Sequence, residues 1–513
     1  MLEICKKLFL EWNNSVNYCH WKSNEHLGAG LDGLTDLDIL MESNNREKGV
    51  QILRDLNFIQ CNSQYGSRYP YVEDWIGFDM ETGSLVHIHL HFMMVTGHRG
   101  LKEYNLPWGT RVLETKILND EYQVYISDPN YELVTLYTRI GLKSNKSKLK
   151  KAKRNEFELA DDVKKEIAYL KKRISWVKVR SIVLQYYEAY GEDLLEIMHG
   201  DNLGPKEYIS LNKYSKQIMK RYSRFSMPSL YVKQLSFDYI FRIRTILRNH
   251  GGCNIIVKKV PKDSEPLTIA FIGQDGSGKS TVASDIEKWL MWKLDSKRFY
   301  LGSGENYKGY MQILLQYLSS FYRKNIKGKN FEKKDNLSDK TSQTKQSISK
   351  NTYGFASILY DYLTMIKYKN IAKDAYKNVI KANKYAKKGG IPIFDRFPQI
   401  EFKGIYDGPK IYTKYKFERF GIVYRFYSRL EKKYINKIQS YQPALVFKLI
   451  LPPEESIRRK PFDDMKEIRK KAKITKELLF DKSLVYEIDA MQSYSQELIE
   501  IKRIIWDKIC RQN

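Results

Sequence analysis

The segment Leu267–Leu290 limits most strongly what the carboxy-terminal half of this chain can fold into. It reads LTIAFIGQDGSGKSTVASDIEKWL: an apolar run at Leu267–Ile272, a glycine-rich turn, and then apolar residues at helical spacing from about Lys279 onward. A short apolar run bounded by turn residues predicts a buried strand, and a spacing of three and four residues predicts a helix. A buried strand joined by a tight turn to a helix is typical of an α/β fold in which helices flank a parallel sheet.

The turn has the spacing of a phosphate-binding loop, G-x4-G-K-S. Its glycines let successive backbone N–H groups point inward at phosphate oxygens, and the helix that follows adds the partial positive charge of its amino terminus. We therefore predict ATP and Mg²⁺ as cofactors, with Lys279 on the β- and γ-phosphates and the Ser280 hydroxyl on the metal. The residues predicted to bind the cofactor are Gly273, Asp275, Gly276, Ser277, Gly278, Lys279, Ser280 and Thr281.

These residues also carry a family resemblance. GQDGSGKST resembles the loop of thymidylate kinases, and the resemblance extends from Leu267 to the end of the chain. Ile391–Phe394, followed by Asp395 and Arg396, is similar to the third strand of that family and its Asp-Arg pair. Two later segments resemble its fourth strand with the start of a lid helix, and its last strand beside the adenine: Ala444–Leu451 with Pro452–Glu454, and Leu484–Ala490.

The resemblance implies a kinase and assigns its catalytic side chains. Ser277 stands in the loop where some members carry an arginine, so the arginines are expected in the lid, where Arg458 and Arg459 precede Lys460. A mobile cationic lid would stabilise the charge of the transferring phosphoryl group. The catalytic residues so implied are Lys279, Asp395, Arg396, Arg458 and Arg459; a surface ion pair for Asp395 with Arg396, and a solvated helix face for the lid residues, are the structural alternatives.

The acceptor stays open. By resemblance, Asp275 faces a sugar hydroxyl of the acceptor, but Tyr300–Tyr307 (YLGSGENY) lacks the arginine with which the family holds a nucleoside monophosphate. We therefore expect a small phosphate acceptor, either a nucleoside monophosphate or a sugar or polyol.

Two carboxylates near the amino terminus mark a second candidate site. Asp36 and Asp38 lie two apart on a predicted strand, so both side chains point to one face and could hold a metal ion. The surrounding sequence resembles nucleotidyltransferase-fold proteins, in which such a pair serves nucleotidyl transfer. Where relatives carry a third carboxylate this chain has His89, flanked by His87 and His91, and we predict Asp36, Asp38 and His89 as metal ligands. A binding domain of that fold and purely structural histidines are the alternatives.

Composition divides the chain into four predicted regions. An α+β domain resembling nucleotidyltransferases is expected over residues 1–130, a helical cap or connector over 131–250, a linker rich in Gly and Pro over 251–266, and the kinase domain over 267–513. Within the kinase domain, Arg323–Thr352 is polar and rich in Lys and Ser, which predicts a mobile basic insertion.

Net charge indicates possible partners, and cysteine content indicates the cellular compartment. A formal net charge of +28 would attract nucleic acid or an anionic membrane surface. Because Lys, Asn, Ile and Tyr are abundant together, compositional drift is favoured over a nucleic-acid face, while peripheral membrane contact and a homodimer stay open. Five dispersed cysteines and the lack of a long apolar run favour a cytoplasmic protein without disulfides.

Two functional hypotheses follow. The first is a phosphotransferase that uses ATP and Mg²⁺ on a small acceptor, coupled to nucleotidyl transfer by the amino-terminal domain. The second is an ATP-gated binding module that controls a partner or nucleic acid. Asp395, Arg396 and the basic lid favour the first, because a module that only senses ATP has no evident use for them.

Overall fold

The chain forms two compact units. The computed structural model describes residues 1–63, 69, 71–98, 100–249, 259–262, 265–301, 345–411, 415–459 and 465–511. The first unit comprises Met1–Ser264 with Trp506–Asn513, and the second comprises Glu265–Ile505. The predicted kinase domain therefore starts close to a unit boundary, but its last residues belong to the first unit. There the indole of Trp506 stacks on Phe78, with ring centroids 5.7 Å apart, which an assignment by chain order alone could not foresee.

The described part of the first unit contains an eight-stranded mixed sheet in the order β10-β3-β4-β5-β2-β1-β9-β8. Strands β2 and β5, and β1 and β9, are parallel, and the other pairs are antiparallel. The strands, including the small pair β6 and β7, are β1 Tyr18–His20, β2 Leu37–Met41, β3 Ile59–Ser63, β4 Val72–Phe78, β5 Leu85–His91, β6 Val95–Thr96, β7 Tyr104–Asn105, β8 Ile117–Asn119, β9 Val124–Ile126 and β10 Lys259–Pro261.

Helix α1 Glu3–Ser15 precedes the first strand of this sheet, and the other helices of the unit's amino-terminal part and connector lie between its strands in chain order. Those of the amino-terminal part are α2 Leu27–Leu31, α3 Arg46–Asp55 and α4 Gly109–Glu114. The region predicted as a helical connector holds α5 Pro129–Leu142, α6 Lys146–Lys153, α7 Asp161–Lys171, α8 Trp176–Tyr187, α9 Gly191–His199, α10 Pro205–Met219 and α11 Met227–Asn249. One apolar core includes Trp21 and Leu40 together with residues of α5, α8 and α10, so these helices share a core with the sheet.

The range predicted as a linker includes strand β10. Lys259–Pro261 pairs antiparallel with β3, with Val260 opposite Asn62. Because β10 is the edge strand, Pro261 can occupy it without removing a hydrogen bond from the sheet interior. Proline and glycine near this segment predicted a break in structure, and the pairing with β3 overrides that local signal.

The second unit contains a five-stranded parallel sheet in the order β12-β13-β11-β14-β15 within its described residues. Its elements are β11 Ile269–Gly273, α12 Lys279–Leu290, β12 Ser296–Tyr300, α13 Lys345–Ala386, β13 Ile391–Asp395, α14 Gly421–Gln439, β14 Leu445–Ile450, α15 Pro453–Arg459, α16 Met465–Glu477, β15 Leu484–Asp489 and α17 Tyr494–Cys510, of which the residues from Trp506 onward belong to the first unit. The α/β prediction with a parallel sheet and flanking helices is confirmed. Strand β11, which leads into the glycine-rich turn, is buried at the centre of the sheet.

Most of the predicted mobile insertion lies outside the described residues, but its last eight residues are described. Lys345–Thr352 belong to α13. A helix extends readily from a formed turn into polar residues, because each added residue contributes one hydrogen bond without a new nucleation step. Among the residues described, no helix is both long and apolar enough to cross a membrane.

Candidate functional site

The turn between β11 and α12 has the backbone that a phosphate-binding loop needs. Gly276 and Gly278 have φ angles of +85° and +86°, which residues with a side chain rarely adopt. Gly273 is required for a different reason, since a Cβ there would lie 2.9 Å from the Leu449 carbonyl oxygen. The three glycines thus permit two left-handed residues and one close approach to β14.

Lys279 is the first residue of α12, is buried and lines a cleft. Its ammonium group donates a hydrogen bond of 2.6 Å to the Gln274 carbonyl oxygen, which holds the side chain back over the turn. Ser280 and Thr281 follow it and are exposed, while Ser277 is buried inside the turn. An exposed Ser280 hydroxyl at the helix start is available to a ligand.

Asp395 ends β13, the strand beside β11, and is buried. Its Oδ1 has no hydrogen-bond partner among the described residues, and its Oδ2 is 3.8 Å from Nη1 of Arg298. The same guanidinium nitrogen donates to the Ser280 carbonyl oxygen at 3.4 Å. Arg298 therefore connects two predicted site residues. The family resemblance did not indicate it, because it lies inside β12, before Tyr300–Tyr307, where the family carries its arginine.

Arg396 adopts a strained backbone at the same edge of the sheet. Its φ angle is +73°, a conformation that costs a residue with a side chain about 1–3 kcal/mol and that clusters at functional sites. Burial lowers the pKa of its guanidinium, but the charges of Asp407, Tyr300 and Asp275 outweigh burial and raise it. The arginine is thus held as a cation with its Nη2 3.9 Å from Asp275 Oδ1.

Asp275 is paired with a residue that the sequence did not single out. Lys471, on α16, places its Nζ 2.7 Å from Asp275 Oδ2 and 3.2 Å from Glu467 Oε1. Burial raises the pKa of Asp275, but the hydrogen bond and charge of Lys471 have the larger, opposite effect. The pKa of this carboxyl is therefore below its ordinary value. Asp275 is therefore an anion that links the turn to α16.

Lys279, Asp275, Arg396 and Lys471 line one cleft of about 200 Å³, whereas Ser280, Arg298 and Asp395 are not part of its lining. Tyr406 and Asp407, from the loop before α14, form part of its wall, and both have positive φ angles, +47° and +54°. The Tyr406 hydroxyl contacts Thr475 Oγ1 and the Lys471 carbonyl oxygen, which ties this loop to α16. The lining residues are Phe271, Ile272, Gly273, Asp275, Lys279, Arg396, Phe397, Gly404, Ile405, Tyr406, Asp407, Lys410, Glu467 and Lys471.

The two predicted lid arginines differ in their contacts. Arg459 donates hydrogen bonds to Glu455 Oε1, at 2.8 Å, and to the carbonyl oxygens of Gly276, at 3.4 Å, and Ala490, at 3.3 Å. Arg458 is exposed and bonds Glu455 at 2.6 and 2.8 Å. Both lie at the end of α15, and Lys460 lies outside the described residues. Arg459 is thus the one of the two that contacts the phosphate-binding turn in the described structure.

A second site, the histidine cluster, lies on the sheet of the first unit. Asp38 on β2 is directly opposite His89 on β5, and His89 is opposite Asp74 on β4, so three neighbouring strands contribute. His89 Nδ1 is 3.3 Å from Asp38 Oδ1, and its Nε2 is 3.2 Å from Asp74 Oδ1. His87 Nδ1 lies 2.8 Å from Asp36 Oδ1. The predicted ligands Asp36, Asp38 and His89 are therefore brought together, and Asp74 joins them.

The histidines of this cluster differ in charge. Burial lowers the pKa of His89, but its hydrogen bonds to Asp38 and Asp74 raise it to about 9. Burial lowers the pKa of His91 to about 4. Lys22 places its ammonium 2.7 Å from Asp38 Oδ1 and so competes with a metal ion for that carboxylate.

The donor atoms of both units fit metal ions of different kinds. Two sets in the first unit, Asp36 with His87 and His89, and Asp38 with His89 and His91, bring one ligand atom per residue within 4.8 Å of one another. Imidazole with carboxylate suits Zn²⁺ and similar transition metals. In the second unit, the unbonded Asp395 Oδ1 and the exposed Ser280 hydroxyl are oxygen donors of the type that Mg²⁺ prefers.

Comparisons with known proteins give distant relatives. No family model matches the chain. It is 27% identical over 243 residues to the "Uncharacterized ATP-binding protein YghR" of Escherichia coli K12, which covers 47% of this chain and 87% of that protein. It is 24% identical over 229 residues to the "Uncharacterized ATP-binding protein YghS" of the same strain, covering 44% and 87%.

Solved structures resemble the chain more weakly. Deoxyadenosine kinase from M. mycoides with bound dCTP is 16% identical, with a TM-score of 0.26, and the match covers 47% of this chain and 98% of that one. The same kinase with bound dATP gives the same identity and TM-score and covers 99% of its chain. Similarity at this level assigns no family to the chain.

Proposed function

We propose that the second unit is an ATP- and Mg²⁺-dependent phosphotransferase of the thymidylate-kinase kind that acts on a small acceptor. The observation that carries the proposal is the cleft in which Lys279, at the start of α12, lies beside the charged residues Asp275, Arg396 and Lys471. A phosphate-binding turn that opens into a polar cleft would allow a phosphoryl donor and an acceptor to bind in one site. The names of the two Escherichia coli relatives, as ATP-binding proteins, support ATP as the donor.

The chain's own residues account for positioning and charge. Backbone N–H groups of the turn and the Lys279 ammonium would hold the phosphates, and phosphoryl transfer depends mainly on such positioning and charge stabilisation. Ser280 and Asp395 would hold Mg²⁺, which when bound neutralises charge on the phosphate oxygens. Arg459, which contacts the turn at Gly276, is placed to add positive charge on the donor side.

The acceptor side of the cleft has both signs of charge. Carboxylates of Asp275 and Asp407 can accept hydrogen bonds from hydroxyl groups, and Arg396 and Lys410 can hold an anionic group. An acceptor with hydroxyls and a phosphate or another anion matches this lining. Nucleoside monophosphates and sugars or polyols, especially phosphorylated ones, are therefore the acceptors to test.

ADP release from Mg-ATP, measured across a panel of these acceptors, tests the proposal. Acceptor-dependent release that Lys279→Ala abolishes, while the exposed Lys288→Ala on the same helix does not, would support a kinase. ATP binding without release for any acceptor would instead favour an ATP-gated binding module.

We propose nucleotidyl transfer as a second activity, located in the first unit. The specific observation is the grouping of Asp36, His87 and His89 within 4.8 Å, beside the Asp38 carboxylate on the same strand face. A carboxylate pair next to further ligands suits metal-assisted attack on a nucleotide phosphate. Pyrophosphate release from nucleoside triphosphates that depends on added Zn²⁺, Mn²⁺ or Mg²⁺, and that Asp36→Asn abolishes, is the expected result; release that persists in Asp36→Asn would contradict it.

A further inference from the structure

Helix α14 of the second unit has an exposed face that is apolar near its amino end and cationic along the rest, and we call it the basic face. At about 3.6 residues per turn, its members fall on roughly one third of the helix circumference. They are the exposed residues Ile422, Arg425, Phe426, Arg429, Lys433 and Lys437. The cations follow one another at intervals of four residues, so each lies beside the next. The basic face is therefore a continuous row of positive charge with two apolar side chains at one end.

The acidic residues near this helix do not neutralise the basic face. Glu431 is the one acidic residue in the sequence of α14, and it is buried. Its carboxylate accepts hydrogen bonds from the backbone N–H groups of Lys410 and Ile411, at 3.0 and 2.9 Å, so its charge faces the interior. Glu418 precedes the helix and is exposed. It can offset at most one of the four positive charges.

Helix α13, which packs against α14, has two carboxylates, and both are paired with other cations. Asp361 pairs with Arg419, which lies before α14. Asp374 Oδ1 is 3.6 Å from Lys377 Nζ on its own helix. The two packed helices therefore leave the basic face with an excess of positive charge.

Two large apolar side chains of the basic face are exposed to water. Ile422 is 81% exposed and Phe426 is 56% exposed. Single apolar residues are common on protein surfaces, but these two lie one helical turn apart and continue into the row of cations. Their exposure costs free energy in proportion to their apolar area, which transfer to a less polar environment would recover. The face thus combines an apolar end with a cationic row.

We propose that the basic face binds an anionic lipid bilayer, with Ile422 and Phe426 inserted among the headgroups and the cations next to the lipid phosphates. Helices that lie on membranes combine these two features. The cationic row spans about 18 Å along a straight helix, at about 1.5 Å per residue, which suits a flat surface. Nucleic acid would also attract the cations, but its phosphate backbone offers no apolar layer for the two exposed side chains.

This inference goes beyond the proposed kinase activity and does not depend on it. Among the residues that line the cleft around Lys279, none belongs to the basic face. A bilayer could therefore bind α14 whether or not the cleft transfers phosphate. Vesicle binding is accordingly expected to be the same in Lys279→Ala as in wild type.

Co-sedimentation of the full chain with vesicles tests the proposal. Wild type is expected to bind vesicles of equal parts phosphatidylcholine and phosphatidylglycerol, and to bind phosphatidylcholine alone much more weakly. Arg429→Gln/Lys433→Gln should weaken binding to the anionic vesicles about 25-fold, at about fivefold for each cation near the surface. The control Lys288→Gln/Lys297→Gln removes two exposed lysines from other elements of the same unit and should leave the affinity close to wild type.

A second variant, Ile422→Ser/Phe426→Ser, separates insertion from charge attraction. It should weaken binding about tenfold or more at both low and high salt, because salt does not screen the burial of apolar area. The effect of Arg429→Gln/Lys433→Gln should instead shrink at high salt. All four substituted residues are exposed, so the Tm of both variants should match wild type.

Three results would overturn the proposal. The first is wild-type protein that does not bind the phosphatidylglycerol vesicles. The second is an equal loss of binding in Arg429→Gln/Lys433→Gln and in the lysine control, which would assign the attraction to net charge. The third is vesicle binding that Ile422→Ser/Phe426→Ser leaves unchanged, together with duplex DNA binding that requires Arg429 and Lys433, which would assign the face to nucleic acid.

Discussion

Lys471 Nζ lies 2.7 Å from Asp275 Oδ2, and this ion pair joins α16 to the turn between β11 and α12. Neither side chain is fully exposed. The lysine also contacts Glu467 on its own helix, so it is oriented from two sides. The pair therefore fixes the position of the carboxylate that we assign to the acceptor side of the cleft.

Asp275→Asn is expected to reduce stability by about 1 kcal/mol near neutral pH, since the pair is partly exposed to water. The pKa of Asp275 is lowered in the folded protein, so its contribution is present above the unfolded pKa and is lost as the pH falls through the folded pKa. Urea unfolding between about pH 3 and pH 7 should show a weaker acid dependence for Asp275→Asn than for wild type. Asp481→Asn, at an exposed loop position, is the control. Equal acid dependence in Asp275→Asn and wild type would contradict the pairing.

Lys279→Ala should reduce phosphoryl transfer by roughly 10²–10³, the usual effect of removing one group that stabilises transition-state charge. Lys288 lies on the same helix but is exposed and paired with Asp285, so Lys288→Ala should retain activity. Initial rates at saturating ATP for both variants provide the measurement. Similar rates for the two would show that Lys279 does not contact the transferred group.

Arg459→Ala should lower kcat more than Arg458→Ala does. Both arginines bond Glu455, but Arg459 also contacts the Gly276 and Ala490 carbonyl oxygens. Because charge on a closing segment acts mainly in the reacting state, we expect the loss in kcat rather than in the KM for ATP. Equal effects of the two substitutions would remove the distinction drawn from their contacts.

Glu132 gives a pH prediction for the first unit. Burial raises its pKa to about 7, although Asn24 donates two hydrogen bonds to its carboxyl oxygens. Because the folded protein keeps a proton that the unfolded chain releases near pH 4.3, this group should make stability fall as the pH rises from about 4.5 to 7, by about 3 kcal/mol. Unfolding free energies of Glu132→Gln should lack this decline. An identical decline in wild type and Glu132→Gln would assign it to another group.

Local sequence patterns predicted the parts of the site that one segment encodes. Gly276, Gly278 and Lys279 occur at fixed spacing between a strand and a helix, and Asp395 ends a strand that reads as buried. Lys471 and Tyr406 were not predicted, because tertiary packing brings α16 and the loop before α14 to the cleft, and neither segment carries a motif. The residues that line the acceptor side could therefore not be predicted from motif spacing alone.

In the first unit, too, the sequence predicted only part of the candidate site. The sequence predicted Asp36, Asp38 and His89 as metal ligands, and alternation along a strand places His87 and His91 on the same face as His89. Asp74 was not predicted, because its place in the site depends on the register of β4, which begins at Val72 and sets Asp74 opposite His89. Strand register depends on pairing with neighbours, which a single sequence does not display.

The central claim is that the second unit transfers the terminal phosphoryl group of ATP. The most direct measurement incubates the protein, Mg²⁺ and the acceptor panel with ATP labelled at either the α- or the γ-phosphate, and identifies the labelled product in wild type and Lys279→Ala. The account predicts γ-label on one acceptor class in wild type and its loss in Lys279→Ala. Bound ATP with no γ-label on any acceptor, or γ-label that persists in Lys279→Ala, would contradict it.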